Sequence, residues 1–580
     1  MSHHLKIEEA LCSQPVAKFP YYHAKIKVRN ESSDDFYIDK LKVNGKGSRD
    51  YLIFNEGNFV YEPRVDADSV TWIISRADWK AGDQILVEME LISEAKEVEA
   101  LNYNGSTPLE GGYWDDDWKY YFSVTLTERD GIDRINEPVN ISASLYADRI
   151  SDPEKEVRVV AIDTVTGTQE EIPSQVHSIS EPYKEISDES IQHSQTFDVS
   201  FYADVGAKKG GVYLVFYGNE NAEKPVYGSE LKVSGDGVGI QIENPYYSMK
   251  MHPKSGSIHE VDIKMGKGKR LEHKVETNGA IHWNPGLYSP PKAWTHASDW
   301  DPPAKYFQID GPIFTMTQRY DQLPLYPETR LSQTYIFYSR CPYVRTNSVF
   351  DINKDIYVQA LRNGEIVFNL EVLKEFALRD KFGEIKSFTV TDFPRFEEIA
   401  LRYSADTPWV AFFNSDYELG FAEVTINLAN MRREGGLVRL EHYEQYVNWG
   451  PWVYSTRDLV FPFGAKNPQI MTLVPGSSTY YEDLAFLPFV FKDNSPENQF
   501  EMVENVASSL SNPLTIQVEH ETDYRVPAQF VLGERLEGEI EETEQKPWPI
   551  SLSKEFTRFR QSPTFLNEIH LRKRNGKYYY

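Results

Sequence analysis

Residues 281–303 gather side chains suited to holding a sugar. Ile281-His282-Trp283-Asn284-Pro285 is followed by Trp294-Thr295-His296-Ala297-Ser298-Asp299-Trp300-Asp301-Pro302-Pro303, with three of the 11 tryptophans and two of the 13 histidines of the chain. Indoles stack on the apolar faces of sugar rings, while Asn, Asp and His bond the hydroxyls. The same composition also builds a rigid aromatic loop with no ligand. Gln318-Arg319-Tyr320 and Gln333-Thr334-Tyr335-Ile336-Phe337-Tyr338 come next. In a strand, Gln333, Tyr335 and Phe337 share one face. A guanidinium there could neutralise a uronate carboxylate and acidify the C5 proton. Tyr335, His282 or His296 could then take or return protons. The plain alternative is a cross-strand tyrosine and a surface arginine.

A second cluster runs Glu441-His442-Tyr443-Glu444-Gln445-Tyr446-Val447-Asn448-Trp449-Gly450-Pro451-Trp452. It repeats the mix of imidazole, amide and indole and is expected to form the opposite wall of one cleft, or else a strand end with an aromatic turn. The candidate catalytic residues are therefore His282, His296, Arg319 and Tyr335. The candidate sugar-binding residues are Trp283, Asn284, Trp294, Asp299, Trp300, Asp301, His442, Tyr446, Trp449 and Trp452. β-Elimination next to a uronic acid is the leading chemistry, because a His/Tyr/Arg set needs no carboxylate pair. Hydrolysis of neutral glycans is the alternative, with Asp299, Asp301 and Glu441 as candidate carboxylates. A noncatalytic sugar-binding protein is the third reading.

The elements that position these residues read as strands. Short alternating runs such as Ser69-Val70-Thr71-Trp72-Ile73-Ile74 and Gln84-Ile85-Leu86-Val87-Glu88-Met89 are separated by Gly, Asn and Asp, the pattern of an antiparallel sandwich. Tyr121–Leu126, Val139–Leu145, Val157–Ala161, Phe197–Phe201 and Val212–Tyr217 read the same way. Helical pattern is scarce, with Phe396–Tyr403 and Pro496–Leu510 as short candidates. The expected domains are a β-sandwich over 1–120, a second over 121–236, a large β-supersandwich over 237–535, and a tail over 536–580.

Residues 136–260 also carry a family resemblance. The matching pieces are Asn136-Glu137-Pro138-Val139, Asp163, Gly167, Ile172-Pro173-Ser174-Gln175-Val176, Phe201-Tyr202-Ala203-Asp204-Val205 and Gly211-Val212-Tyr213. The clearest is Ile242-Glu243-Asn244-Pro245-Tyr246-Tyr247, followed by Pro253-Lys254-Ser255-Gly256-Ser257-Ile258. This stretch resembles the C-terminal β region of family 38 glycoside hydrolases, the α-mannosidase type. The resemblance implies a sandwich that precedes a galactose mutarotase-like supersandwich; with the β-sandwich read over 1–120, the expected fold is all-β, two small Ig-like sandwiches followed by that supersandwich. Pro253 to Gly256 would be the hairpin turn that opens it. The catalytic barrel of that family has no counterpart here, since residues 1–120 read as β, so no nucleophile or zinc ligand carries over. Fold alone does not fix function.

Composition bounds the partners. Lys+Arg is 61 and Asp+Glu is 88, giving −27 over 580 residues. That field repels phosphate backbones, so nucleic acid is excluded as a partner. No run of 18 apolar residues is present, so no membrane span is expected. Met1-Ser2-His3-His4-Leu5-Lys6 lacks an apolar signal core, so the chain is expected to be cytoplasmic, or secreted with its signal removed. Two cysteines, Cys12 and Cys341, make no disulfide framework. No cofactor is required by the sequence. Calcium is the one cation considered, either through Trp114-Asp115-Asp116-Asp117-Trp118 or as an aid to binding an acidic sugar. Asp351-Ile352-Asn353-Lys354-Asp355 fails as an EF-hand loop, because Ile356 and Arg362 replace the turn glycine and the final glutamate. Oligomeric state is not encoded legibly.

Overall fold

The computed structural model describes residues 4–519 apart from short breaks, of which the longest are 14–21, 78–83, 107–114, 163–168, 181–193, 273–284, 393–400 and 461–470. Beyond 519 it describes the strands Arg572–Arg574 and Lys577–Tyr579, which pair with each other. Strand makes up 61% and helix 6%, so the fold is all-β. Two units separate, one of residues 1–227 with 513–580 and one of 228–512. No helix among the described residues is long and apolar enough to cross a membrane.

The first unit holds two sandwiches. In the first, one five-stranded sheet centres on Tyr22–Asn30 and Ser69–Ala77, the other on Gln84–Ser93 and Phe36–Val43. Alternation buries Ile26, Val28 and Ile73 from one sheet against Val87, Met89 and Leu91 from the other. In the second sandwich, a five-stranded sheet (Gln169–Ile172, Arg158–Ile162, Gly210–Tyr217, Tyr120–Thr127, Thr515–Glu519) faces a three-stranded one (Arg134–Tyr146, Ser194–Val205, Ser174–His177). The strand Thr515–Glu519 corrects the expected limit at 535. Leu514, Ile516 and Val518 alternate and pack into this sandwich's core, so the chain returns here from residues 228–512.

Glu128 anchors the turn after Tyr120–Thr127. Its side chain is fully buried beside the Arg134 guanidinium at 3.5 Å. Burial alone would raise its pKa. The backbone N–H groups of Lys208, Asp130, Gly131 and Ile132 outweigh that and hold it at about 2.

The second unit is a sandwich of a ten-stranded and a six-stranded sheet, with a small five-stranded sheet packed into the same core. The ten-stranded sheet runs from Lys305–Ile309 through Phe314–Leu323, Tyr326–Tyr338, Val344–Ile352, Ser478–Val490, Leu419–Glu434, Trp409–Asn414 and Glu375–Arg379 to Ile385–Thr389, with Leu437–Leu440 pairing onto Leu419–Glu434 beside this path. The six-stranded sheet has the order Thr295–His296, Gly286–Tyr288, Ala360–Asn369, Trp452–Val460, Glu444–Trp449, Leu401–Ser404. Leu401–Ser404 is a strand, which corrects the helix expected to reach Tyr403. The sheet can recruit this edge because Tyr403 buries against Phe376 and bonds Ser455 Oγ at 2.6 Å. Pro496–Gln499 and Glu501–Ser511 are helical as expected. Ile366, Phe368 and Val453 of the six-stranded sheet face Phe337, Phe421 and Phe486 of the ten-stranded one. Arg457 projects into the same space and pairs with Glu423 and, at 3.3 Å, with Glu482.

Two polar hubs tie the small sheet to the large one. Asn244 is buried and uses both ends of its amide. Its Nδ2 donates to the Tyr338 and Cys341 carbonyls, and its Oδ1 accepts from the N–H groups of Tyr246 and Tyr247. Tyr247–Met251 and Ile258–Ile263 form the expected hairpin, with Gly256 at φ 68° in its turn. Arg319 reaches this turn from the ten-stranded sheet. It donates to the Ser255 carbonyl at 2.6 Å, to Ser257 Oγ at 3.0 Å, to Gln333 Oε1 and to Tyr335 Oη at 2.9 Å. A Cβ on Gly256 would lie 2.7 Å from Arg319 Cδ.

Two outcomes are expected. Gly256→Ala combines a left-handed backbone with that overlap and should cost about 1–3 kcal/mol in a denaturant melt; an unchanged midpoint would show that the turn and the guanidinium are not in contact. Glu128 has a depressed pKa, so its contribution is full above its unfolded value of about 4.5 and is lost as pH falls from there toward about 2. Glu128→Gln should therefore be less stable than wild type at pH 7, with the difference shrinking across that window in thermal melts. A constant difference from pH 7 to pH 2 would exclude the ionised carboxylate as the stabilising species.

Candidate functional site

The outer face of the six-stranded sheet carries the candidate site. The tight pairing of Gly286–Tyr288 with Thr295–His296 depends on Gly286, where a Cβ would lie 2.5 Å from His296 Cδ2. The imidazole thus lies directly over that backbone. The His296 N–H donates to Asp299 Oδ2 at 2.8 Å, which closes the short turn Ala297–Asp299. Alternation turns Thr295 into the core and leaves Trp294 and His296 on the outer face with Tyr288. The Trp294 ring lies near-parallel to Tyr288 at 5.3 Å and to His296 at 5.8 Å.

Arg362, from the neighbouring strand Ala360–Asn369, joins this stack to the rest of the sheet. Its guanidinium lies 4.6 Å from the Trp294 ring centre and 5.9 Å from that of Tyr454, and it bonds Glu365 Oε1 at 2.8 Å. Tyr454 packs with Val367 and Trp452. His296 and Trp294 of the first segment and Trp452 of the second thus share one face of one sheet, linked in the order His296, Trp294, Arg362, Tyr454, Trp452.

Among the described residues, His296 Nε2, Trp294 Nε1 and the Asn363 amide are buried with no hydrogen-bond partner. Burial, reinforced by the nearby Arg362 charge, lowers His296 to about 3, so the imidazole is neutral at ordinary pH. Partial burial raises the Asp299 carboxyl above its usual range. Among the described residues, no group of three or more His, Cys, Asp or Glu is arranged to hold a metal ion.

The sequence candidates divide. His296, Trp294 and Trp452 meet on the outer face, and Tyr446 pairs with Thr456 and Arg402 in the ladder of that sheet. Trp449 pairs with Val453 and packs toward the core. Asp299 lies at the rim of the His296 turn, 45% exposed. Asp301 is exposed, pairs with Lys254 at 2.8 Å, and lines a separate groove with Trp300 and the turn Asp321–Pro327. His282, Trp283, Asn284, Glu441 and His442 lie outside the described residues.

Arg319 and Tyr335 differ from expectation. Both are 0% exposed, and their polar groups bond each other and the small sheet. A substrate cannot touch them in this conformation; the strand face that carries them packs inward.

Sequence reasoning missed Tyr288, Arg362, Glu365 and Tyr454. A usable signal was Arg362-Asn363-Gly364-Glu365, a polar run inside the strand Ala360–Asn369, whose positions are all buried. Buried charge in mid-strand is costly unless it is paired, and here Arg362 and Glu365 pair with each other.

No family model matches the chain, and no curated protein matches it in sequence. Among solved structures, an alpha-mannosidase from Enterococcus faecalis V583 is similar at 10% identity and TM-score 0.44, over 70% of this chain and 46% of that one. A glycosyl hydrolase family 38 protein from Enterococcus faecalis is similar at 9% identity and TM-score 0.43, over 71% and 49%. A family 36 alpha-galactosidase from Geobacillus stearothermophilus is similar at 8% identity and TM-score 0.27, over 45% and 41%. The chain thus spans about half the length of the two family 38-type structures, and no residue's role is transferred from any of the three.

Proposed function

We propose that this chain is a carbohydrate-active protein that takes a saccharide on the outer face of its six-stranded sheet. The observation that carries the reading is the bridge made by Arg362 between Trp294 and Tyr454. It unites two sequence-distant aromatic clusters beside buried polar atoms that have no hydrogen-bond partner among the described residues. Half-buried Tyr288 and Trp452 offer ring surface at either end of this stretch. A face that mixes aromatic rings with a neutral imidazole, an indole N–H and a charge pair suits a ligand that is apolar on its faces and hydroxylated at its edges.

β-Elimination next to a uronic acid remains the finer alternative. With Arg319 sealed in the core, Arg362 would have to neutralise the uronate, and its guanidinium is engaged by Glu365. Calcium assistance for an acidic sugar stays part of the elimination reading.

The test is binding and turnover on a panel of neutral and uronate-containing oligosaccharides, read by tryptophan fluorescence, reducing ends and the absorbance of unsaturated products, with and without EDTA. At least one glycan should bind. Trp452→Ala and Arg362→Met should each weaken it about tenfold without loss of the folded baseline by circular dichroism. Absence of binding across the panel would remove the saccharide reading. An unsaturated product would restore elimination.

A further inference from the structure

The loop between Tyr288 and Trp294 is closed by a residue from the other sheet. Residues 289–293 join Gly286–Tyr288 to Thr295–His296, and these two strands pair through Gly286 with His296 and Leu287 with Thr295. The ladder thus stops one residue short of either ring. Tyr288 is still held on its other side, where it is opposite Ala360 and its carbonyl accepts from the Gln359 N–H at 2.8 Å. The next residue, Ser289, is held as well, because its Oγ donates to the Tyr357 carbonyl at 2.7 Å. Trp294 lies outside the strand Thr295–His296, and Pro291, Lys292 and Ala293 before it are exposed. Packing of the loop therefore does little to fix this second ring.

Tyr326 supplies the missing rung. It opens the strand Tyr326–Tyr338 of the ten-stranded sheet, and its ring is 0% exposed in a core shared with Leu287, Trp300 and Phe350. Its hydroxyl accepts the Ser289 N–H at 3.0 Å and donates to the Ala293 carbonyl at 2.9 Å. A hydroxyl can do both because it donates and accepts at one atom. Ser289 follows Tyr288 and Ala293 precedes Trp294, so one oxygen carries a fixed position from the root of the first ring to the root of the second. Lys292, between the two roots, folds back over the Tyr326 ring with its Nζ 4.8 Å from the centre and 3.8 Å from Glu328. A loop closed only for stability could be bonded anywhere along its length. Here both bonds fall beside the residues whose rings lie 14° from parallel at 5.3 Å.

We propose that Tyr326 is a positioning residue for the saccharide site: its phenol holds Tyr288 and Trp294 together as a preformed aromatic platform. The inference rests on the saccharide reading above and names what orders that site before a ligand arrives. A ligand that must order two rings as it binds loses part of its affinity to that ordering, and a platform ordered in advance avoids the loss. Tyr326 acts through the two rings and not by contact, because its own ring is wholly buried. The geometry of the platform is thus set by the ten-stranded sheet, although the rings belong to the six-stranded one.

The experiment uses the full chain and the oligosaccharide of the panel that binds wild type most tightly. Tyr326→Phe keeps the ring and removes the hydroxyl. It should weaken that oligosaccharide about tenfold, with a smaller near-ultraviolet circular dichroism signal from the aromatic stack and an unchanged far-ultraviolet spectrum. Tyr288→Ala should also weaken binding, and the double variant should lose less than the product of the two single losses, because the hydroxyl acts through the rings. Losses that multiply in full overturn the proposal. Hydrogen exchange gives a readout that needs no ligand. The peptide spanning Tyr288–Trp294 should exchange about tenfold faster in Tyr326→Phe, while the strand Val344–Ile352 exchanges as in wild type. In wild type itself that loop peptide should be protected; exchange there at the rate of an unstructured chain overturns the proposal even if Tyr326→Phe fails to fold. Oligosaccharide affinity that Tyr326→Phe leaves unchanged overturns it too, with the saccharide reading left in place. Absence of any binding by wild type defeats the saccharide reading, and the proposal falls with it.

Discussion

The buried guanidinium of Arg319 is the contact on which the second unit depends. Taking a charge out of water costs several kcal/mol, and burial lowers its pKa accordingly. No carboxylate compensates it among its hydrogen-bond partners. A carbonyl, a hydroxyl, an amide oxygen and a phenol accept instead, and the rings of Trp300 and Tyr335 lie 5.5 and 5.0 Å from its carbon. These partners come from three parts of the unit: the Ser255–Ser257 turn, the strand Tyr326–Tyr338, and the loop that carries Trp300. Holding the two terminal nitrogens of one side chain therefore fixes the small sheet, the ten-stranded sheet and the aromatic loop at once. Trp300 completes this by donating its indole N–H to the Gln322 carbonyl.

The same arrangement explains why Arg319 and Tyr335 read as chemistry. An arginine, a glutamine and a tyrosine on one strand face are what a catalytic surface would need, and they are also what a buried hub needs. Only the partner across the gap distinguishes the two, and that partner lies more than 60 residues earlier in the chain. Local pattern was a better guide elsewhere. The alternation of apolar residues marked the strands of both small sandwiches, and Pro253 to Gly256 marked a turn that only a residue tolerant of positive φ can close. Leu401–Ser404 misled because a single edge strand of four residues carries too little pattern to outweigh a helical spacing. The two aromatic segments could be seen from composition, whereas their meeting through Arg362 depends on strand order, which no short window contains.

The six-stranded sheet uses its two faces for opposite ends. Toward the sandwich core, Val453, Ser455 and Arg457 hold the layers together. Outward, Tyr454 belongs to the candidate site and Thr456 shares its face. Register shifts on either side of Arg362 allow a charged residue to enter the outer face without displacing Leu361 or Ile366 from the apolar side. A slip of one position in Trp452–Val460 would exchange the two sets and take the Arg457 guanidinium away from Glu423 and Glu482. The packing that stabilises the sandwich is thus also what holds the outer face in line.

The edge strand Thr515–Glu519 has a consequence for how the molecule is made. The sheet that contains Tyr120–Thr127 emerges from the ribosome long before this last member, so one flank of it stays without hydrogen-bond partners while the whole of residues 228–512 is synthesised. The large sandwich is in effect a guest lodged within its host's sequence, and the host closes only once the guest has been translated. During that interval the bare flank can recruit foreign strands, a vulnerability that a chaperone or rapid folding of the guest would have to cover.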